Sequence, residues 1–278
     1  MKSILQSILA IIILSACSAG LSLKDSSSLV QVSSPAGNFL GEGEENFYVF
    51  KGIPYAQPPV GDLRWKAPKN LSVNDEVIDA TEFKSECIQP GTEGLIPNRN
   101  VSVGNEDCLY LNIYIPKNQT DLNKNKFPVM FWIHGGSNIW GSGDFYDFSK
   151  LATTQQVIVV TINYRLGLFG WFSSEHLRNT ATGLDKSSNF GQLDLIKGLE
   201  WVQENISAFG GDKDNITIFG ESAGGHNVLT LLASPLSEGL FHKAISQSGY
   251  VSSYTQKFAE EESELSSKKI FAEDTKFL

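Results

Sequence analysis

Asn215-Ile216-Thr217-Ile218-Phe219-Gly220-Glu221-Ser222-Ala223-Gly224-Gly225 decides how the rest of the chain is read. Its first half is a run of β-branched and aromatic residues that reads as a strand, and its second half is a Gly-x-Ser-x-Gly turn. In a strand-to-helix elbow the serine is held at a strained backbone angle. Glycines two residues to either side let neighbouring chain approach closely, so the hydroxyl projects into a cleft. A five-residue pattern with three fixed positions also arises as an ordinary Gly/Ser turn. The flanks favour the elbow, because His226-Asn227-Val228-Leu229-Thr230-Leu231-Leu232 continues as an apolar helix and completes a strand–turn–helix setting. Ser222 is therefore the candidate nucleophile.

A serine that attacks an acyl carbon needs a base for its proton, an acid to orient that base, and backbone donors for the oxyanion. The donors are found upstream. Residues 129–133 form a continuous apolar strand that runs into His134-Gly135-Gly136-Ser137, a glycine-rich loop of the kind that supplies such donors. The N–H of Ala223, next after the nucleophile, completes the set.

Other segments alternate between strand and helix. Residues 109–116 alternate as a half-buried strand, and 157–162 form a run typical of a strand covered on both faces. Residues 189–209 carry apolar side chains at helical spacing until Gly210-Gly211 stops them. Residues 244–246 are a further strand. This order predicts an α/β fold with a mostly parallel central sheet and a site at the C-terminal strand ends. Phe50 to Trp65 reads as a Pro-stiffened surface segment with aromatic anchors. The last twenty residues read as a polar helix whose apolar side carries Leu265, Ile270 and Phe271.

The 278 residues carry a formal net charge of −9, and Lys and Arg are scattered, which sets nucleic-acid binding aside. Neither a cofactor nor a metal is implied by any motif. Lys2, the apolar run 4–14 and Leu14-Ser15-Ala16-Cys17 read as an export signal over residues 1–16. The same stretch resembles a bacterial lipobox, which makes Cys17 a lipidation site and residues 17–28 a Ser-rich tether between membrane and folded body; a soluble secreted protein is the alternative. Cys87 and Cys108 then remain as an even pair in an exported chain, which favours a disulfide worth roughly 3 kcal/mol over two buried thiols.

Further strings extend the pattern in order: Phe50-Lys51-Gly52-Ile53-Pro54-Tyr55-Ala56, Glu106-Asp107-Cys108-Leu109-Tyr110-Leu111-Asn112-Ile113-Tyr114, Trp132-Ile133-His134-Gly135-Gly136, Asn163-Tyr164-Arg165, Asn189-Phe190-Gly191 and Ser246-Gln247-Ser248-Gly249. With the elbow, they make residues 29–278 resemble the N-terminal part of a type-B carboxylesterase, the α/β-hydrolase family that includes the cholinesterases. The resemblance implies a small-molecule ester substrate, Ser222 as nucleophile, Gly136, Ser137 and Ala223 as oxyanion donors, and a Cys87–Cys108 disulfide. Ser137 departs from the glycine of most relatives, and the Cys87–Cys108 segment holds no tryptophan to stack on a choline cation.

Relatives carry the acid and histidine well downstream of the serine, so the expectation is a chain that stops before those strands. Of the four histidines, His134 belongs to the oxyanion loop, His226 to the elbow helix, and His242 to the start of a strand at the far sheet edge. His176 falls in a long connection. The preferred reading is an exported serine carboxylesterase, inactive as this chain alone. The alternatives are a non-catalytic binding module on a cholinesterase-like fold and one half of a split esterase.

Overall fold

The computed structural model describes residues 28–73, 76–93, 96–117 and 126–272. The signal segment, Cys17 and the tether up to residue 27 lie outside the described residues. The chain opens with β1 (Ser28–Ser34), β2 (Gly37–Gly43) and β3 (Phe47–Pro54), followed by β4 (Val77–Asp79) and the hairpin β5 (Gln89–Glu93) and β6 (Ile96–Val103). Next come β7 (Tyr110–Pro116), β8 (Phe127–Ile133), α1 (Ser149–Gln155), β9 (Ile158–Ile162), α2 (Gly167–Gly170) and α3 (Glu175–Thr180). The remainder is α4 (Phe190–Asn205), β10 (Gly211–Glu221), α5 (Ala223–Ala233), β11 (Lys243–Gln247) and α6 (Gln256–Ala272).

The main sheet has the order β1-β2-β3-β7-β9-β8-β10-β11, with β4 beside β2. Its central strands β9, β8 and β10, with β11 outside them, run parallel. An antiparallel flank of β1, β2, β3 and β7 continues it on the other side. Parallel strands need both faces covered, and the apolar runs at 129–133 and 158–162 supply two apolar faces. One face, with Phe131, Ile133, Val160, Ile162 and Ile218, packs with Leu195, Leu199 and Val202 of α4 and Val228 and Leu231 of α5. The other, with Trp132, Val159 and Phe219, packs with Tyr114, Phe148 and Ala152. Each fully buried Val, Ile or Phe contributes about 1.5–3 kcal/mol. Gly198 lets α4 close onto β9, since a Cβ there would lie 2.2 Å from Ile162 Cδ1.

Two expectations are corrected. Strand β7 is buried on both faces, not one, because α1 and the aromatic cluster cover the side that carries Tyr114. The segment from Phe50 is not a surface feature: Phe50, Ile53, Tyr55 and Ala56 are core residues, and the Tyr55 hydroxyl donates to the Asn163 carbonyl at 2.7 Å. The polar helix near the end of the chain is present as α6, with Leu265 53% exposed, and the side chains of Ile270 and Phe271 lie outside the described residues. Elsewhere the elements fall where the periodicity places them, with α4 passing through a single 3₁₀ turn to Gly210 at φ +83°.

The cysteines Cys87 and Cys108 form a disulfide with Cα atoms 4.9 Å apart. Beside it, Arg64 forms a bidentate ion pair with Glu106. No helix among the described residues is long and apolar enough to cross a membrane.

Candidate active site

Strand β10 ends at Glu221, and Ser222 follows at φ +55°, ψ −120° as the residue that caps α5. A non-glycine residue in that region carries about 1–3 kcal/mol of strain and persists only where its surroundings hold it. Two backbone hydrogen bonds do so: Ser222 N–H donates to the Gln247 carbonyl at 2.8 Å, and the Ser222 carbonyl accepts from His226 N–H at 2.9 Å. The flanking glycines are required by contact. A Cβ on Gly224 would stand 2.0 Å from the Ile133 carbonyl oxygen, and one on Gly220 would stand 2.5 Å from the Gly224 carbonyl carbon.

The loop after β8 lies directly over this elbow. A Cβ placed on Gly135 would be 2.8 Å from the Glu221 carbonyl oxygen and 3.3 Å from Ser222 Cβ. Gly136, at φ +97°, turns the chain tightly, and its carbonyl accepts from both Ile139 and Trp140 N–H. Ser137 and Asn138 both follow at φ +57°. Asparagine tolerates this conformation, whereas serine does so less readily. Ala223 is the first residue of α5, where backbone N–H groups have no partner within the helix and the dipole favours negative charge. Ser222, the Gly135–Gly136–Ser137 backbone and the N-terminus of α5 are thus gathered at the C-terminal ends of β8 and β10.

The four histidines occupy four different settings. His134 is fully buried, stacks on Tyr164 with ring centroids 4.3 Å apart, and places Nδ1 2.8 Å from the Gly135 carbonyl. Burial lowers its pKa to about 4, partly offset by that backbone contact. His226 contacts the Tyr250 ring and carbonyl. His242 Nδ1 accepts from Ile216 N–H at 3.1 Å, just before β11 and beside the middle of β10. His176 is exposed on α3.

Two polar arrangements pair residues far apart in the sequence. Arg165 donates through Nε and Nη2 to the two carboxylate oxygens of Asp194 at 2.8 and 2.7 Å, with both side chains buried. Asp194 raises the Arg165 pKa against the opposing effect of burial. The second is a carboxamide pair: Asn227 Nδ2 donates to Asn138 Oδ1 at 2.8 Å. Beside it the Tyr164 hydroxyl donates to the His134 carbonyl at 2.7 Å. Burial pushes that phenol well above its ordinary range.

Residues 26–277 match the model of the carboxylesterase family. The chain is 47% identical over 220 residues to a para-nitrobenzyl esterase of Bacillus subtilis (strain 168), covering 78% of this chain and 43% of that protein. It is 45% identical over 211 residues to carboxylesterase 1E of Rattus norvegicus, covering 72% of this chain and 36% of the relative. Among solved structures, a thermophilic para-nitrobenzyl esterase superposes with a TM-score of 0.76 at 41% identity, over 87% of this chain and 48% of that one. A Geobacillus stearothermophilus carboxylesterase at pH 6.2 gives 0.74 at 42% identity, over 84% and 47%. The chain thus spans less than half the length of these relatives, and its fold is that of the α/β-hydrolases. It belongs to the carboxylesterase family.

Proposed function

We propose that this chain carries the nucleophile and oxyanion donors of a serine carboxylesterase. Ser222 attacks the ester carbonyl, the alcohol leaves, and the acyl group stays on Ser222 Oγ until water releases the acid. The backbone N–H groups of Gly136, Ser137 and Ala223 receive the oxyanion in both steps, where a single donor of this kind is worth about 10²–10³ in rate. The observation that carries the reading is the strained Ser222 directly after β10, with a glycine loop so close that a Cβ added to Gly135 would lie 3.3 Å from Ser222 Cβ. A serine hydroxyl needs an adjacent base at neutral pH. On this reading a further segment or a second chain supplies the base and its acid; His134 packing on Tyr164, His226 contacting Tyr250 and His242 bonding Ile216 support it.

Hydrolysis of a short-chain nitrophenyl ester tests this. This chain alone gives slow release that Ser222→Ala removes, and co-expression with a histidine-bearing downstream segment raises it by several orders of magnitude. Release that survives Ser222→Ala rejects the nucleophile. The second reading, a non-catalytic binding module on this fold, is favoured only by the placement of the histidines; a strained, glycine-flanked serine has no purpose in it.

Lipidation at Cys17 and membrane anchoring outside the cytoplasm rest on Leu14-Ser15-Ala16-Cys17. One acyl chain binds membranes marginally, so stable anchoring calls for the several chains of a lipoprotein terminus. Metabolic fatty-acid label that disappears in Cys17→Ala supports this, and label that persists rejects it.

A further inference from the structure

We propose that the Asn138–Asn227 carboxamide pair is a positioning clamp that fixes the oxyanion loop relative to the nucleophile. This rests on the reading of Ser222 and the Gly136–Ser137 backbone given above. The oxyanion donors come from two separate pieces of chain: Gly136 and Ser137 lie after β8, whereas Ala223 begins α5. Donors work only when they converge within about 2.7–3.1 Å of one oxygen position. Something must therefore tie the loop to the helix.

The loop's own backbone bonds, from Ile139 and Trp140 N–H to the Gly136 carbonyl, hold its turn but do not reach α5. Ser137 and Asn138 are consecutive non-glycine residues at φ +57°, a conformation that costs each about 1 kcal/mol or more unless the surroundings over-determine it. Asn227 provides the tie. It stands on α5 with 1% exposure, on the helix that Ser222 caps. Its amide donates to Asn138 Oδ1 at 2.8 Å and receives Asn138 Nδ2 at 3.4 Å, a reciprocal pair that fixes both distance and orientation. The far side of the loop is held as well: Asn138 carbonyl accepts from Gly167 N–H at 2.7 Å, and the Tyr164 hydroxyl stands 3.4 Å from Asn138 Oδ1. Asn227 is held in turn by Gln192, whose Nε2 donates to its carbonyl at 3.4 Å. Nucleophile, helix and loop are thereby referred to one rigid element, which active-site precision requires. Both asparagines act through the loop.

Two substitutions in the full chain separate positioning from general stability. Asn227→Ala removes one amide, and Asn138→Gly removes the other while keeping a residue at ease at positive φ. The readouts are backbone hydrogen exchange over residues 134–141 and the kinetics of a fluorophosphonate adduct located at Ser222 by peptide mass. Each variant is expected to speed exchange in that segment about tenfold, with β9 unchanged. Each also lowers the maximal labelling rate about 10–100-fold without moving the half-saturating probe concentration, and the double variant is no slower than the worse single. Labelling at the original maximal rate in either folded variant overturns the clamp, as does unchanged exchange over 134–141. An unsubstituted chain that forms no adduct at Ser222 overturns the nucleophile reading instead, and the exchange result then decides by itself whether the pair holds the loop.

Discussion

The Ser222 N–H donates to the Gln247 carbonyl at 2.8 Å, so the elbow after β10 is pinned to the end of β11. That bond exists because Gly225 lets the two segments approach: a Cβ there would lie 2.6 Å from the Gln247 oxygen and 3.1 Å from Gly249 Cα. Gly225→Ala is expected to push β11 away and cost about 1–3 kcal/mol, read from urea unfolding. Gly224→Ala is expected to cost more, because its Cβ meets the Ile133 oxygen at 2.0 Å in the middle of the fold. Equal, near-zero losses for both would show that the elbow accommodates volume freely.

The Arg165–Asp194 pair is buried on both sides, with side-chain exposures of 3% and 0%. Asp194→Ala leaves a buried guanidinium that keeps the Lys66 carbonyl as acceptor but loses its counter-charge, and is expected to cost about 3–5 kcal/mol. Replacing both partners by apolar residues should recover much of that loss. A double variant as unstable as Asp194→Ala would show that the pair is worth more than its desolvation.

His134 gives the stability a pH dependence of definite sign. Burial lowers its folded pKa to about 4, below the ~6.5 of an unfolded histidine. Between those values the unfolded chain binds the extra proton and the folded chain does not. Its contribution is therefore complete above pH ~6.5 and lost as pH falls toward 4, by up to about 3 kcal/mol. His134→Phe keeps a ring against Tyr164 and removes the titration. The difference between the two stability profiles over that window should slope as stated, and parallel profiles would contradict it.

Among the described residues β11 pairs only with β10, and Ile245 on it is 45% exposed. An open apolar edge of this kind templates further strands. The chain is expected to self-associate at micromolar concentration, and Ile245→Lys to reduce this, as followed by light scattering. A monodisperse parent chain would show that the edge is protected.

How much of this could be read in the sequence depended on range. The elbow, the strand before it and the Gly210 stop of α4 were legible because each is local: a β-branched run, a spacing of glycines, a left-handed cap. The parallel centre followed from continuous apolar runs. The burial of β7 on both faces was hidden, because its alternation counts Asn112 and Tyr114 as outward positions. In the fold Asn112 bonds Gly52 N–H and Thr161 while Tyr114 joins the aromatic cluster. The Asn138–Asn227 pair was invisible for another reason. Its two residues are 89 positions apart, and an asparagine after a glycine loop reads as turn chemistry. The sequence placed Ser222 and its loop but could not show what holds them together.

The account stands on Ser222 as an acyl acceptor that lacks its base within these residues, and this has a direct measurement. The base is needed to activate water for deacylation as well as serine for attack, so an acyl group once transferred should persist. The chain is mixed with a nitrophenyl ester, quenched, digested, and the peptide containing Ser222 weighed. The account predicts one acyl group on Ser222, accumulating slowly toward one equivalent of released nitrophenolate with little further turnover, and absent in Ser222→Ala. Acylation at another serine, sustained turnover that Ser222→Ala abolishes, or turnover that Ser222→Ala leaves unchanged would contradict it.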